Sequence, residues 1–183
     1  MNKKNLIGYA IVAIAFGVIG ALVGSNQKVA GPITVAYADT GKQPTAVTHF
    51  FQQSFNDAGG KPLALSQFQG KPLVVNFWAP WCAPCVREMP ELDAFAREMK
   101  AKQVNVVGIG IDSPSNIAQF AGKLKISYPI MVAGMGGTDL ARDFGNEAGG
   151  LPFTVLIGAD GQVKKTYLGS LKFDQLRADL AKL

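Results

Sequence analysis

Cys82 and Cys85 are the only cysteines in this 183-residue chain, and two residues separate them. A disulfide stabilises a fold mainly by closing a loop in the unfolded chain, so a loop this short gains little. The spacing suits exchange better. One thiolate attacks a partner's disulfide, and the second resolves the mixed disulfide. Zinc is the other chemistry that close cysteines support, but a structural zinc needs four ligands. Beyond the cysteines the chain offers only one histidine, His49. It lies among polar and aromatic residues and reads as a surface or packing histidine.

The flanks say what positions the pair. Residues 73–78, Leu-Val-Val-Asn-Phe-Trp, form an apolar, β-branched and aromatic run of strand length, as expected for a strand buried on both faces. After Cys85 the period changes: Val86, Met89, Leu92, Phe95 and Met99 recur at helical steps, predicting a helix over residues 83–100. Pro90 falls inside it and predicts a kink. Cys82 thus sits at or near a helix N-terminus, where unpaired N–H groups and the dipole lower a thiol pKa from about 8.5 to roughly 3.5–7.5. Cys82 is the predicted attacking thiolate and Cys85, one turn further in, the resolving thiol. Pro84 is tolerated in a first helical turn. Glu88 shares a helix face with Cys85. Trp81, beside the nucleophile, is a candidate contact surface for an extended partner. Trp78, Phe77 and Met89 read as core.

The whole stretch 76–92, with Trp-Cys-x-Pro-Cys followed by Glu-Met-Pro-x-Leu, resembles the thioredoxin superfamily. More narrowly it is similar to the membrane-anchored TlpA/ResA-like thiol-disulfide oxidoreductases, over residues 50–183. The resemblance implies that Leu151-Pro152 is the cis-proline pair opposite the dithiol, offering backbone and apolar contact to a bound peptide. It links Glu88 to proton handling. Asn76 departs from ordinary thioredoxins, which place a proton-moving aspartate there. An amide cannot do that work, which shifts it to Glu88 or water.

Residues 6–23 contain no charge and are almost wholly apolar, long enough to span a bilayer as a helix. Lys3 and Lys4 precede the run and Lys28 follows it, a bias that places the N-terminus inside and the remainder outside. Ala36-Tyr37-Ala38 resembles a signal-peptide cleavage site, but it lies well past the apolar run. Gly20 and Gly24 form a helix-pairing spacing, which glycine-rich spans also show by chance. Residues 24–48 read as a tether, with 33–38 an alternative candidate for an extra strand. The net charge of +5 forms no basic stripe with interleaved aromatics, which argues against nucleic-acid binding.

From residue 50 onward the chain predicts a β-hairpin (50–55 and 62–65), a short turn, and the 73–78 strand with its helix. A strand over 104–111 follows, then Asp112-Ser113-Pro114-Ser115 supplies a cap and a proline start for a helix to about residue 124. A short strand (128–132), a turn (134–137) and a short helix (139–144) come next. Strands 154–157 and 163–168 join through Asp160-Gly161, and a final amphipathic helix has Ser170 as its predicted cap. This order matches an α/β thioredoxin fold: a central mixed sheet flanked by helices, with an N-terminal β-hairpin extension and an inserted strand and helix. One transmembrane helix precedes it. The predicted division is 1–26 membrane anchor or signal peptide, 27–48 linker, and 49–183 redoxin domain.

The function implied is an extracytoplasmic, membrane-tethered oxidoreductase facing the periplasm or cell exterior. It reduces protein disulfides, such as those of apocytochrome c or copper-site cysteines. No cofactor is implied, and a single cysteine pair needs electrons from another protein, by resemblance a membrane carrier of the DsbD/CcdA kind. A Cu(I) chaperone using the same thiolates is the alternative of a different class, although such redoxins usually add a late histidine and His49 comes early. A peroxidase wants a polar residue near its cysteine, where this chain has Pro80, Trp81 and Ala83.

Overall fold

The computed structural model describes residues 45–183. Among them no helix is long and apolar enough to cross a membrane. The predicted span (6–23), the cleavage-like triplet (36–38), the candidate strand (33–38) and the tether as far as residue 44 lie outside the described residues.

Chain order gives α1 (Ala46–Gln52), β1 (Ser54–Asp57), β2 (Pro62–Ala64), a 3-10 turn (Leu65–Phe68), β3 (Leu73–Trp78), α2 (Ala83–Lys100), β4 (Asn105–Gly110), α3 (Pro114–Leu124), β5 (Ile130–Val132), α4 (Gly136–Asp143), β6 (Phe153–Ile157), β7 (Val163–Leu168) and α5 (Phe173–Leu180). The described strands form one seven-stranded sheet in the order β2-β1-β5-β4-β3-β6-β7. β3 runs parallel to β4 and antiparallel to β6. All six β3 residues are buried, which explains a strand that is apolar on both faces.

Two glycines let α3 and its neighbours close on β4. A Cβ at Gly110 would lie 2.6 Å from Ile117, and one at Gly108 would lie 3.1 Å from the Tyr128 ring. Within the predicted 112–115 cap stretch, Ser113 is the residue that caps α3, its hydroxyl accepting from the Asn116 N–H. α2 continues through Pro90 to Lys100.

Three expectations are corrected. Residues 50–52, predicted as strand, complete α1. Val47, Phe50 and Phe51 are all buried at i, i+3, i+4 spacing, the pattern of one helical face, and Thr45 caps it. Thr45–Thr48, read as the end of the tether, are therefore its cap and first turn. Phe50 packs edge-on to Phe144, with ring centroids 5.8 Å apart, and Phe144 also meets Phe77 of β3. Second, the hairpin is real but starts at Ser54, and β1 pairs antiparallel with the inserted β5, so extension and insert form one edge of the sheet. Third, Ser170 does not cap α5. Lys172 occupies that place without a side-chain cap, and the Leu171 N–H just before it donates to Glu88 of α2.

Candidate active site

The strand-to-helix turn after β3 carries the cysteines. Cys82 and Cys85 are joined, with S–S 1.99 Å and Cα–Cα 5.3 Å. Cys82 is the N-cap of α2: its Sγ accepts from the Cys85 N–H at 3.3 Å, and its carbonyl accepts from Val86 N–H at 3.1 Å. The Cys85 N–H and the positive end of the helix dipole therefore meet the Cys82 sulfur, where they stabilise a thiolate. Cys85 is fully buried behind it, and Cys82 retains slight exposure.

Glu88 lies one turn beyond Cys85 and is buried. Its Oε1 accepts from Asn76 Nδ2 and its Oε2 from Leu171 N–H, each at 3.0 Å. Burial pushes its carboxyl above the ordinary glutamate range. The Leu171 and Asn76 donors oppose the rise without cancelling it, and Glu91 adds to it. A carboxyl so placed holds or releases a proton more readily near neutral pH than an exposed one. Asn76 donates its second amide hydrogen to Thr154 Oγ1 at 3.0 Å. The amide that replaces the usual aspartate thus orients a carboxylate reaching in from α2.

Register places the proline. Phe77 pairs with Phe153 in the antiparallel β3–β6 ladder, so Pro152 lies at the end of the sheet from which the 79–82 turn departs. The Leu151–Pro152 bond is cis, Pro152 is buried and Leu151 half-buried. Asn146 holds the approach: its Nδ2 donates to the Gly150 carbonyl at 2.9 Å, and its Oδ1 accepts from Gly150 N–H at 3.1 Å. Trp81, 67% exposed, and Leu151 together line a groove of about 530 Å³ that also takes in Ile111, Asp112, Met135 and Thr138.

All six predicted site residues therefore belong to one end of the sheet or to the helix entering it. Sequence reasoning missed Thr154 and Asn146, and it missed Asn76 as a partner of Glu88. A signal existed for two of them. A polar residue inside an apolar strand, as in Leu-Val-Val-Asn-Phe-Trp and Phe-Thr-Val-Leu-Ile, needs a buried hydrogen-bond partner. His49 stands apart, its Nδ1 2.6 Å from Asp143 Oδ2 on α4. Among the described residues no cluster of three His, Cys, Asp or Glu side chains is arranged to hold a metal.

Comparison with known proteins agrees with this geometry. The redoxin family model matches residues 40–180. Thiol-disulfide oxidoreductase ResA of Geobacillus kaustophilus (strain HTA426) is 30% identical over 125 residues, 68% of this chain and 70% of the relative. ResA of Geobacillus thermodenitrificans (strain NG80-2) is 29% identical over 126 residues, with coverage of 68% and 70%. A thioredoxin-family thiol:disulfide interchange protein from Chlorobium tepidum TLS superposes with TM-score 0.63 at 25% identity, over 71% of this chain and 91% of that one. A secreted Mycobacterium tuberculosis disulfide oxidoreductase, 24% identical, shares the fold with TM-score 0.62 over 74% and 98%. With its cysteine pair at the N-terminus of α2, the chain belongs to the redoxin family as a ResA/TlpA-like thiol-disulfide oxidoreductase.

Proposed function

We propose that this oxidoreductase works in the reducing direction on protein disulfides. In the reduced chain, the Cys82 thiolate attacks a client disulfide. The client S–S bond breaks, a Cys82–client bond forms, and one client sulfur leaves and takes a proton from water. Cys85 then gives its proton to Glu88, attacks Cys82 Sγ and displaces the second client sulfur, which takes that proton. Two electrons pass to the client, which ends as a dithiol, and the Cys82–Cys85 disulfide remains. The observation that carries the exchange is the layering of the site, with Cys82 at the helix terminus, Cys85 fully buried behind it, and a buried carboxylate one turn below; the reducing direction is taken from the resemblance to TlpA/ResA-like oxidoreductases.

The remaining elements of the reading rest on the sequence. Residues 6–23 tether the domain to the membrane so that it faces an extracytoplasmic space. Trp81, Leu151 and Pro152 contact the client. The clients are cysteine pairs awaiting haem or copper, such as those of apocytochrome c. A membrane dithiol carrier of the DsbD/CcdA kind reduces the spent disulfide.

The test is the equilibrium potential of the full chain against glutathione or dithiothreitol, together with trapping by a Cys85→Ser variant. A potential near thioredoxin's, about −270 mV, and a stable Cys82–client adduct are expected. A potential near −120 mV, that of a strong oxidant, would reverse the direction of electron flow.

A further inference from the structure

The groove lined by Trp81, the residue before Cys82, combines apolar walls with a single carboxylate. The described residues carry a small net positive charge, yet among them the one charged group lining this groove is an acid, Asp112. Asp112 is held in place: its Oδ1 accepts from Ser113 N–H at 2.6 Å and from Asn116 Nδ2 at 2.8 Å. Oδ2 takes neither bond and remains available. The Ser113 and Asn116 donors keep the carboxyl below its ordinary range, so it is an anion at neutral pH. The surrounding walls are apolar. Met135 is 78% exposed, more than any other large hydrophobic side chain in the described domain, and Trp81 follows it. An unbranched, polarisable thioether adapts to apolar side chains of varied shape. The volume of about 530 Å³ falls within the roughly 300–1,000 Å³ of pockets that enclose small ligands. That is room for a few side chains of an extended segment.

We propose that this groove is a client-selecting subsite: it takes an apolar side chain near the client's reacting cysteine, packed against Trp81, Met135 and Leu151, while Asp112 pairs with a neighbouring lysine or arginine of the client. The proposal rests on the exchange reading above. A client whose sulfur is bonded to Cys82 runs past Trp81 and Leu151, which brings its flanking residues to the groove. The occupant is an extended polypeptide with a basic and an apolar residue close to its cysteine. Attraction to the chain's net positive charge would select acidic clients instead, so the sign of the preference separates the local effect from the global one.

The test uses the reduced full-length chain and three synthetic peptides, each carrying one cysteine as a mixed disulfide with a small aromatic thiol whose release is read by absorbance. The peptides differ only in the flanking pair: leucine and lysine, leucine and glutamate, or serine and lysine. The leucine–lysine peptide is expected to react about threefold faster than the leucine–glutamate one, the size of an exposed ion pair. It is expected to react about tenfold faster than the serine–lysine one, the size of partial burial of an aliphatic side chain. Asp112→Asn should erase the first ratio and keep the second, and Met135→Ser should do the reverse. Both readouts are ratios within one protein, so a general loss of activity does not mimic them. Equal rates, a preference for glutamate, or ratios that survive both substitutions would each overturn the subsite. If the unaltered chain reacts with none of the peptides and not with the free aromatic disulfide either, the exchange reading itself falls, and the subsite with it.

Discussion

Two carboxylates are buried on the same face-to-core helix, α2, and their surroundings drive them in opposite directions. Glu88 is 7% exposed and Asp93 is 5% exposed, so burial pushes both carboxyls up. Asp93 nevertheless ends below the ordinary aspartate range. Its Oδ1 accepts from the Ser127 N–H and hydroxyl, each at 2.7 Å, and its Oδ2 accepts from Arg97. These donors and the guanidinium outweigh desolvation. Glu88 has two neutral donors, no cation, and the further charge of Glu91, so desolvation wins and its carboxyl ends high. Similar exposure thus conceals two environments: Glu88 sits deeper among protein atoms with two neutral donors, and Asp93 is less desolvated and has a guanidinium and two Ser127 donors. One carboxyl is driven up beneath the dithiol and the other is held as an anion.

The largest expected effect tests that division of labour. Glu88→Gln should slow resolution of the Cys82 mixed disulfide about a hundredfold, the usual scale for losing a positioned acid or base. Asp93→Asn should leave that step within about twofold. Single-turnover rates measured across pH give the comparison. Glu88→Gln should also remove the pH dependence that the carboxyl imparts. Equal rate losses in the two variants would show that any buried carboxylate on α2 supports the site merely by holding the helix.

A second effect reads stability rather than rate. Asp93 joins α2 to Ser127, in the segment leading into β5. Asp93→Ala should lower unfolding free energy by about 2 kcal/mol, the scale of losing hydrogen bonds to a buried charge. The sign with pH follows from the lowered carboxyl. Its stabilisation is complete above the unfolded aspartate value of 3.8 and is lost as pH falls through the lower folded value. Urea unfolding at neutral and acid pH should therefore show the parent and variant converging in acid. A gap that widens in acid would mean that Asp93 is not held as an anion.

The same helix shows what the sequence could and could not disclose. Local signals were sufficient for Ala83–Lys100, because apolar spacing, the Pro-containing first turn and the cysteine spacing all lie within one segment. They were sufficient for the β3 and β6 strands as well. Three long-range matters were not legible. Glu88 is tied to Leu171, and Asp93 to Ser127, by contacts that span distant parts of the chain. Helical spacing shows that a residue faces inward but not what waits there. The pairing of β1 with β5 joins strands of four and three residues, too short for a local pattern to name their partners. Val47, Phe50 and Phe51 did carry a helical period. It straddled the boundary drawn at residue 48, so neither side held enough of it to outweigh the β-rich composition of 50–55.

The smallest effect sharpens the comparison by its sign. Glu88 has a raised carboxyl, so between the unfolded glutamate value of 4.5 and the higher folded value the native chain binds more protons than the unfolded one. Stability then falls as pH rises through that window, opposite in sign to Asp93, with a slope of at most about 1.4 kcal/mol per pH unit for one proton. Glu88→Gln has no such proton to bind. The stability of the oxidised parent chain relative to this variant should therefore rise as pH is lowered from neutrality toward 4.5 and level off below it. A difference that stays flat over this range would place the Glu88 carboxyl at its ordinary value. In that case the two Glu88 donors would fully compensate its burial, and the proton taken from Cys85 would have to leave through water instead.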